Sequence, residues 1–317
     1  MAGGDRAKSR NWMVPAILLV LVLLLAGGCM GRRPEPSQPA DPGQGHGEPR
    51  LQAVATIYPL YEFTLRVAGQ RAQVSMLTPA GADAHEFEPG PRDLERLAAA
   101  DLFIYNGAGL EPWLDTLLGV LQEPGGPLLV EATAGIDLQP DRRPDPHVWL
   151  DPLLAAEQAA SITQALAQVD PHGASYYRER GQKLQAELEA LAQAYEETLQ
   201  TCRLKDLVVQ HGSYAYWRRF SLNPIPLTEG GHHDEPSPRR MAEVAALMRD
   251  RGITAVFADP LAHAQGATAL ARETGAVLLP LHSVENLSAG DREQGETYFS
   301  LMESNLANLR QGLDCNP

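Results

Sequence analysis

The stretch SYYRERGQKLQAELEALAQAYEETLQT, Ser175 to Thr201, decides how the rest of the chain is read. Leu184, Leu188, Leu191, Tyr195 and Leu199 recur every three or four residues, which draws one apolar stripe along a helix. Glu, Lys and Arg fill its other faces. On either side, short apolar runs alternate with amphipathic ones. Upstream lie AVATI (Ala53 to Ile57), QVSML (Gln73 to Leu77), DLFIY (Asp101 to Tyr105) and LLV (Leu128 to Val130). Downstream lie LVVQ (Leu207 to Gln210), ITAVFA (Ile253 to Ala258) and AVLLPL (Ala276 to Leu281). Strand-like runs alternating with helical ones predict α/β layers with a mostly parallel sheet. The expected fold is two lobes, each a mostly parallel sheet flanked by helices, joined by one long rigid helix.

Working outward, residues 51–174 form the expected N-terminal lobe, 175–201 the linking helix and 202–317 the C-terminal lobe. The first 28 residues read differently. Arg6, Lys8 and Arg10 precede the apolar run Met13 to Ala26, which ends in small residues before Cys29. That is the pattern of a secretory signal peptide, and the run is too short to span a membrane. The junction LAGGC, Leu25 to Cys29, resembles the lipobox of bacterial lipoproteins, which implies lipidation of Cys29. Residues 29–50 are rich in Pro, Gly and polar groups and read as a flexible tether, with His46 a bystander inside it.

The formal charge is −14, and loss of residues 1–28 removes a net +2, leaving −16. Such a surface argues against nucleic acid and against broad contact with anionic lipid. Cys202 and Cys315 are far apart in sequence; outside the cytoplasm they are candidates for a disulfide, which spacing alone leaves open.

Four histidines stand where an α/β fold puts ligands. His211 follows LVVQ and His282 follows AVLLPL. His85 lies in the loop after QVSML. His147 sits in PDPHVWLDP, framed by two Asp-Pro pairs, just before a helix capped by Asp151 with Pro152 in its first turn. Parallel sheets bind ligands beyond the carboxyl ends of their strands, and a cleft between lobes can collect all four. Neutral imidazoles suit a first-row metal such as Zn²⁺, and Asp145 or Asp151 is a candidate to accept the second ring N–H of His147. Read singly, a loop histidine is more often a solvated or locally hydrogen-bonded residue than a ligand. His172 and His263 read as surface residues, and His232 and His233 as a polar loop that could collect metal transiently.

The motifs TIYPLYEF, GADAHEFEPGPRDLERLAAADLFIYNGAGLEPWL, DPHVWLDP, HGSYAYWRRFSL, EPSPRRMAEV and ETYFSLMESNLANL cover nearly all of residues 51–310. In that order they resemble the zinc- and manganese-binding solute-binding proteins of bacterial ABC transporters. The resemblance implies two α/β lobes on a backbone helix, a lipid-anchored extracytoplasmic monomer, and metal ligands at His85, His147 and His211. The fourth ligand in that family is acidic, but here LLPLHSVEN holds Leu279 at the aspartate position and His282 at the position where some relatives carry glutamate. The expectation is therefore His282, with Glu285 as runner-up and a water or a three-coordinate site third. Four imidazoles favour Zn²⁺ over Mn²⁺. The long His-rich loop of many zinc members is missing between Glu131 and His147.

The implied function is capture of Zn²⁺, with Mn²⁺ as the alternative, and its delivery to an ABC permease and its ATPase, without catalysis. An adhesin role stays open. A zinc hydrolase is a different class, and the sequence offers it neither an H-E-x-x-H helix nor a clear general base.

Overall fold

The computed structural model describes residues 50–138, 144–228 and 235–316. The expected signal peptide, Cys29, nearly all of the tether with His46, and the pair His232 and His233 lie outside the described residues.

The first lobe runs β1 (Leu51–Ala55), α1 (Tyr58–Ala68), β2 (Ala72–Met76), α2 (Pro91–Ala98), β3 (Leu102–Tyr105), α3 (Leu114–Leu121) and β4 (Leu128–Glu131). Two helices follow, α4 (Pro152–Val169) and α5 (Ala174–Gln200). The second lobe runs β5 (Asp206–His211), β6 (Asn223–Thr228), α6 (Pro238–Arg251), β7 (Ala255–Ala258), α7 (Gln265–Thr274), β8 (Val277–Pro280), α8 (Ala289–Gln294) and α9 (Tyr298–Gly312). The strands pair in parallel into two four-stranded sheets, ordered β2-β1-β3-β4 and β6-β5-β7-β8. The two lobes therefore share one topology. Each sheet grows first to one side and then reverses, at β1/β3 and at β5/β7. Those reversals are where an open parallel sheet leaves a crevice at its carboxyl edge.

One strand was not legible. NPIPLT, Asn223 to Thr228, carries Pro224 and Pro226, which argue against a sheet interior. It forms β6, on the outer edge of its sheet, where a missing N–H costs nothing on the open side. The Arg240 guanidinium donates to the Pro226 carbonyl through Nε and Nη2, at 3.1 and 2.5 Å.

The helix starts follow local chemistry. Asp151 accepts from Leu153 N at 2.9 Å to open α4, with Pro152 in the first turn. Ser237 accepts from Arg240 N at 3.2 Å to open α6. In α5, Leu184, Leu188, Leu191, Tyr195 and Leu199 are buried as one stripe. They belong to a core that continues through α1 and α4 on one side and into β5, β7 and α9 on the other. The linking helix is thus part of both lobes' packing. Burial of such a stripe fixes the helix far more firmly than helix propensity does.

Three buried aromatic donors tie lobe to lobe. Trp149 Nε1–H donates to Ser283 O at 2.7 Å, Trp217 Nε1–H to Leu150 O at 2.6 Å, and the Tyr298 hydroxyl to Trp149 O at 2.6 Å. Each ring buries a large apolar surface while its single polar atom is satisfied across the boundary. At the far end of α5, Cys202 and Cys315 are joined as a disulfide, beside a backbone bond from Leu204 N to Leu313 O at 3.0 Å. Among the described residues, no helix is long and apolar enough to cross a membrane.

Candidate metal centre

His147 is held by its own short turn. It has φ −81° and ψ 43°, and Val148 N–H donates to Pro146 O at 2.8 Å, so the imidazole stands at the centre of an inverse γ-turn. Asp145 Oδ1 then accepts twice, from His147 N at 3.0 Å and from the ring Nδ1 at 2.6 Å. That carboxylate keeps the proton on Nδ1 and leaves Nε2 as a lone pair, the arrangement that favours a metal-binding imidazole. From the second lobe, the Tyr216 hydroxyl donates to Asp145 O at 2.6 Å. Burial, and then the charge of Asp145, raise the Tyr216 pKa well above the ordinary tyrosine value, so it stays a donor. The stiff frame around His147 thus has a local purpose: every rotation of the ring is opposed.

His85 comes from the loop after β2, where Asp83 Oδ1 accepts from its backbone N–H at 2.8 Å. His211 is the last residue of β5, buried at the reversal point of the second sheet. These three side chains converge, and one ligand atom from each lies within 4.8 Å of the others. The Nε2 atoms of His85 and His147 are 3.1 Å apart. Two nitrogens bound at about 2.05 Å to one tetrahedral ion would stand ~3.3 Å apart, so the observed gap suits two ligands of one cation and equally a hydrogen bond between the rings. The ring centroids form a nearly even triangle, with sides of 5.2, 5.9 and 5.4 Å.

The two candidates for a fourth ligand, His282 and Glu285, are placed differently. His282 joins neither group of metal-competent side chains found among the described residues, whereas Glu285 joins Asp83 and His85. The reason lies in the backbone. Asn305 on α9 holds His282 at both ends, accepting from its N–H and donating to its carbonyl, each at 2.8 Å. Beyond it, Val284 adopts φ 58°, a left-handed conformation that a β-branched residue strongly resists. Trp149 grips Ser283 O on one side, and Tyr58 N–H donates to Glu285 O at 3.0 Å on the other. The chain is turned so that Glu285, 2% exposed, lies against the His85 loop. Its Oε1 accepts from Ala84 N–H at 2.8 Å, and its Oε2 stands 3.7 Å from His85 Nε2. Glu285 thus stands with Asp83 beside His85, while the group of three imidazoles contains neither Glu285 nor His282.

Asp151 differs from expectation. Its carboxylate caps α4 and pairs with Arg219 at 2.9 Å, leaving Asp145 alone as the partner of His147. Burial, opposed by Arg219, leaves the Asp151 pKa above the ordinary carboxylate value. His172, in the 3₁₀ turn before α5, and His263 are exposed and outside both groups.

Comparison with known proteins identifies the family. Residues 53–312 match the family described as zinc-uptake complex component A, periplasmic. The high-affinity zinc uptake system protein ZnuA of Bacillus subtilis is 28% identical over 281 residues, covering 83% of this chain and 88% of that protein. The zinc-binding lipoprotein AdcA of Streptococcus pneumoniae is 30% identical over 288 residues, covering 86% of this chain; the chain spans 57% of that longer relative. The crystal structure of the Zn(II)-bound ZnuA-like domain of the pneumococcal protein superposes with a TM-score of 0.76 at 31% identity, over 84% of this chain and all of that domain. Two parallel sheets on a shared helix, with three imidazoles converging between them, are thus the form this sequence takes as a member of the periplasmic zinc-uptake component A family.

Proposed function

We propose that this protein captures one Zn²⁺ ion between its lobes and delivers it to an ABC permease and its ATPase. His85, His147 and His211 supply three nitrogens and Glu285 the fourth donor, while Asp145 orients His147. The observation that carries this reading is the convergence of the three imidazoles, with His85 and His147 already at ligand-to-ligand distance. A closed, four-donor site holds a cation without leaving a position for a reacting water, so no catalysis is assigned. The chain acts as a monomer of two lobes, residues 51–174 and 202–317, on the helix 175–201. Cleavage after residue 28 and lipidation of Cys29 anchor it outside the cytoplasmic membrane, with residues 29–50 as tether.

Glu285 in place of His282 moves the donor set toward oxygen, which narrows the preference for Zn²⁺ over Mn²⁺ and makes Mn²⁺ the second reading. Metal analysis of purified protein, followed by competition titration of Zn²⁺ against Mn²⁺, separates the two. Stoichiometric zinc, retained against manganese, is the expected result. Tighter manganese binding would move the assignment, and a folded protein that ignores both ions would end it.

A further inference from the structure

Asn106, Glu111 and Gln158 meet at the carboxyl ends of β1 and β3, where the first sheet reverses its order. Glu111 belongs to neither group of candidate metal ligands, and the Asn106 amide and the Gln158 amide nitrogen are engaged in hydrogen bonds within this network. The loop NGAGL, Asn106 to Leu110, is unusual in its backbone: Gly107, Ala108 and Gly109 take φ of 79°, 54° and 80°. Gly107 holds a φ that strains any L side chain, and a Cβ there would also crowd the Glu131 side chain, 2.4 Å from its Oε1. Ala108 holds a left-handed conformation without that excuse. Such strain persists only where the surroundings over-determine it.

The surroundings here are one carboxylate. Glu111 is 5% exposed, and its Oε1 accepts from the Thr56 hydroxyl at 2.7 Å and from Asn106 N–H at 2.8 Å. Its Oε2 accepts from Gly107 N–H at 3.0 Å. The side chain therefore clamps the ends of both strands and fixes where Asn106 begins. The Asn106 amide is then set by its neighbours. Gln158 Nε2 on α4 donates to Asn106 Oδ1 at 3.1 Å, which turns the amide nitrogen the other way. Asn106 Nδ2 donates to Pro146 O at 2.9 Å, and to Gly107 O at 3.2 Å. Pro146 O is the oxygen that closes the γ-turn around His147.

We propose that Asn106, aimed by Gln158 and seated by Glu111, is a positioning residue for the metal site: its amide locks the Pro146–His147 turn so that the imidazole faces the cation. Asp145 sets the ring of His147; Asn106 sets the backbone that carries it. The inference rests on the zinc-binding reading given above. It explains why a buried polar network sits at the strand reversal, on the same loop side as His147. A site whose ligand is held within a fraction of an ångström binds more tightly than one whose ligand must be ordered on binding.

The test compares Asn106→Ala, Gln158→Leu and Thr133→Val with wild type in the full mature chain. The Thr133 hydroxyl donates to Asn106 O at 2.7 Å, so its loss weakens the same residue while leaving the amide untouched. Zn²⁺ affinity is measured by chelator competition and ligand geometry by the visible bands of the Co²⁺-loaded protein. Asn106→Ala is expected to weaken Zn²⁺ binding about 10–100-fold, the range for groups that orient a metal ligand, and to alter the Co²⁺ bands. Gln158→Leu should move both readouts in the same direction, and Thr133→Val should move neither. Wild-type affinity and spectrum in Asn106→Ala, or an equal loss in Thr133→Val, would overturn the proposal while leaving the zinc reading intact. If Asn106→Ala does not fold, unchanged affinity and bands in Gln158→Leu overturn it instead. A wild-type protein that binds neither Zn²⁺ nor Co²⁺ would defeat the zinc reading itself, and this inference with it.

Discussion

Replacing Glu285 by glutamine separates the charge of that side chain from its hydrogen bond. The carboxylate has two tasks: Oε1 accepts from Ala84 N–H at 2.8 Å, and Oε2 approaches His85 Nε2 at 3.7 Å. A glutamine oxygen can still take the Ala84 bond, so the apo fold should lose little. Alanine cannot, and stranding a buried N–H costs about 1–3 kcal/mol. The effect on metal is larger. Groups that merely orient a ligand are worth ~10–100-fold, so a ligand itself should cost at least about 100-fold, or roughly 2.7 kcal/mol. Urea unfolding at buffered free zinc reads this directly. With free zinc set about 1,000 times above the wild-type Kd, the ion stabilises the wild type by ~4.1 kcal/mol. A protein binding about 100-fold more weakly gains only ~1.4 kcal/mol under the same conditions. Glu285→Gln should show that reduced gain with a near-normal apo midpoint, and His282→Ala should keep the full zinc gain. The reverse pattern, with His282→Ala losing the gain and Glu285→Gln keeping it, would refute the assignment of the fourth donor.

Other consequences can be checked in the same assay. The Cys202–Cys315 bond closes a loop over a separation of 113 residues, and the chain-entropy estimate for a loop of that size is ~4.8 kcal/mol. The double Ser variant should lose several kcal/mol in urea, and a loss below about 1 kcal/mol would contradict this. Leu188→Ala in α5, at a fully buried position, should cost about 2–5 kcal/mol without changing zinc affinity, because it packs the shared core and not the site. A specific loss of zinc binding there would count against the linking helix as a passive frame. Asp170 is pushed up by burial, but bonds from Arg71, the Tyr177 hydroxyl and Gly173 N–H outweigh that and hold its carboxyl below the ordinary value of 3.8. Its contribution is present above that value and is lost as pH falls through the lowered one. Asp170→Asn should therefore be less stable than wild type by on the order of 2 kcal/mol at pH 7, with the gap closing only below pH 3.8. A gap that closed already near pH 6 would place the effect elsewhere.

How much of this was legible depends on whether the signal is local. The apolar stripe from Leu184 to Leu199 and the alternation of strand and helix are local patterns, and they gave two parallel-sheet lobes on one helix. Asp151 announced its helix because a cap bonds within three residues of itself. The strand at Asn223 to Thr228 was hidden because its prolines exclude a sheet interior, and only the assembled sheet shows that it lies at an edge. The candidate ligands divide in the same way. His85, His147 and His211 stand at loop and strand ends that the alternation already locates. Which of His282 and Glu285 approaches the His85 loop depends on the φ of Val284 and the grip of Asn305, neither of which leaves a mark in the residue order.

By itself, then, the order of residues determined the periods: where helices and strands form, which histidines stand at strand ends, and that a stiff turn surrounds His147. The tertiary structure alone decided which side chains meet. A metal site is made of atoms a few ångströms apart that lie tens to hundreds of residues apart in the chain, so its geometry depends on packing between lobes. Here that packing is Trp149 against Ser283, Trp217 against Leu150 and Ala84 against Glu285. Non-local contacts of this kind, unlike helical or strand periodicity, have no repeat by which a sequence can declare them.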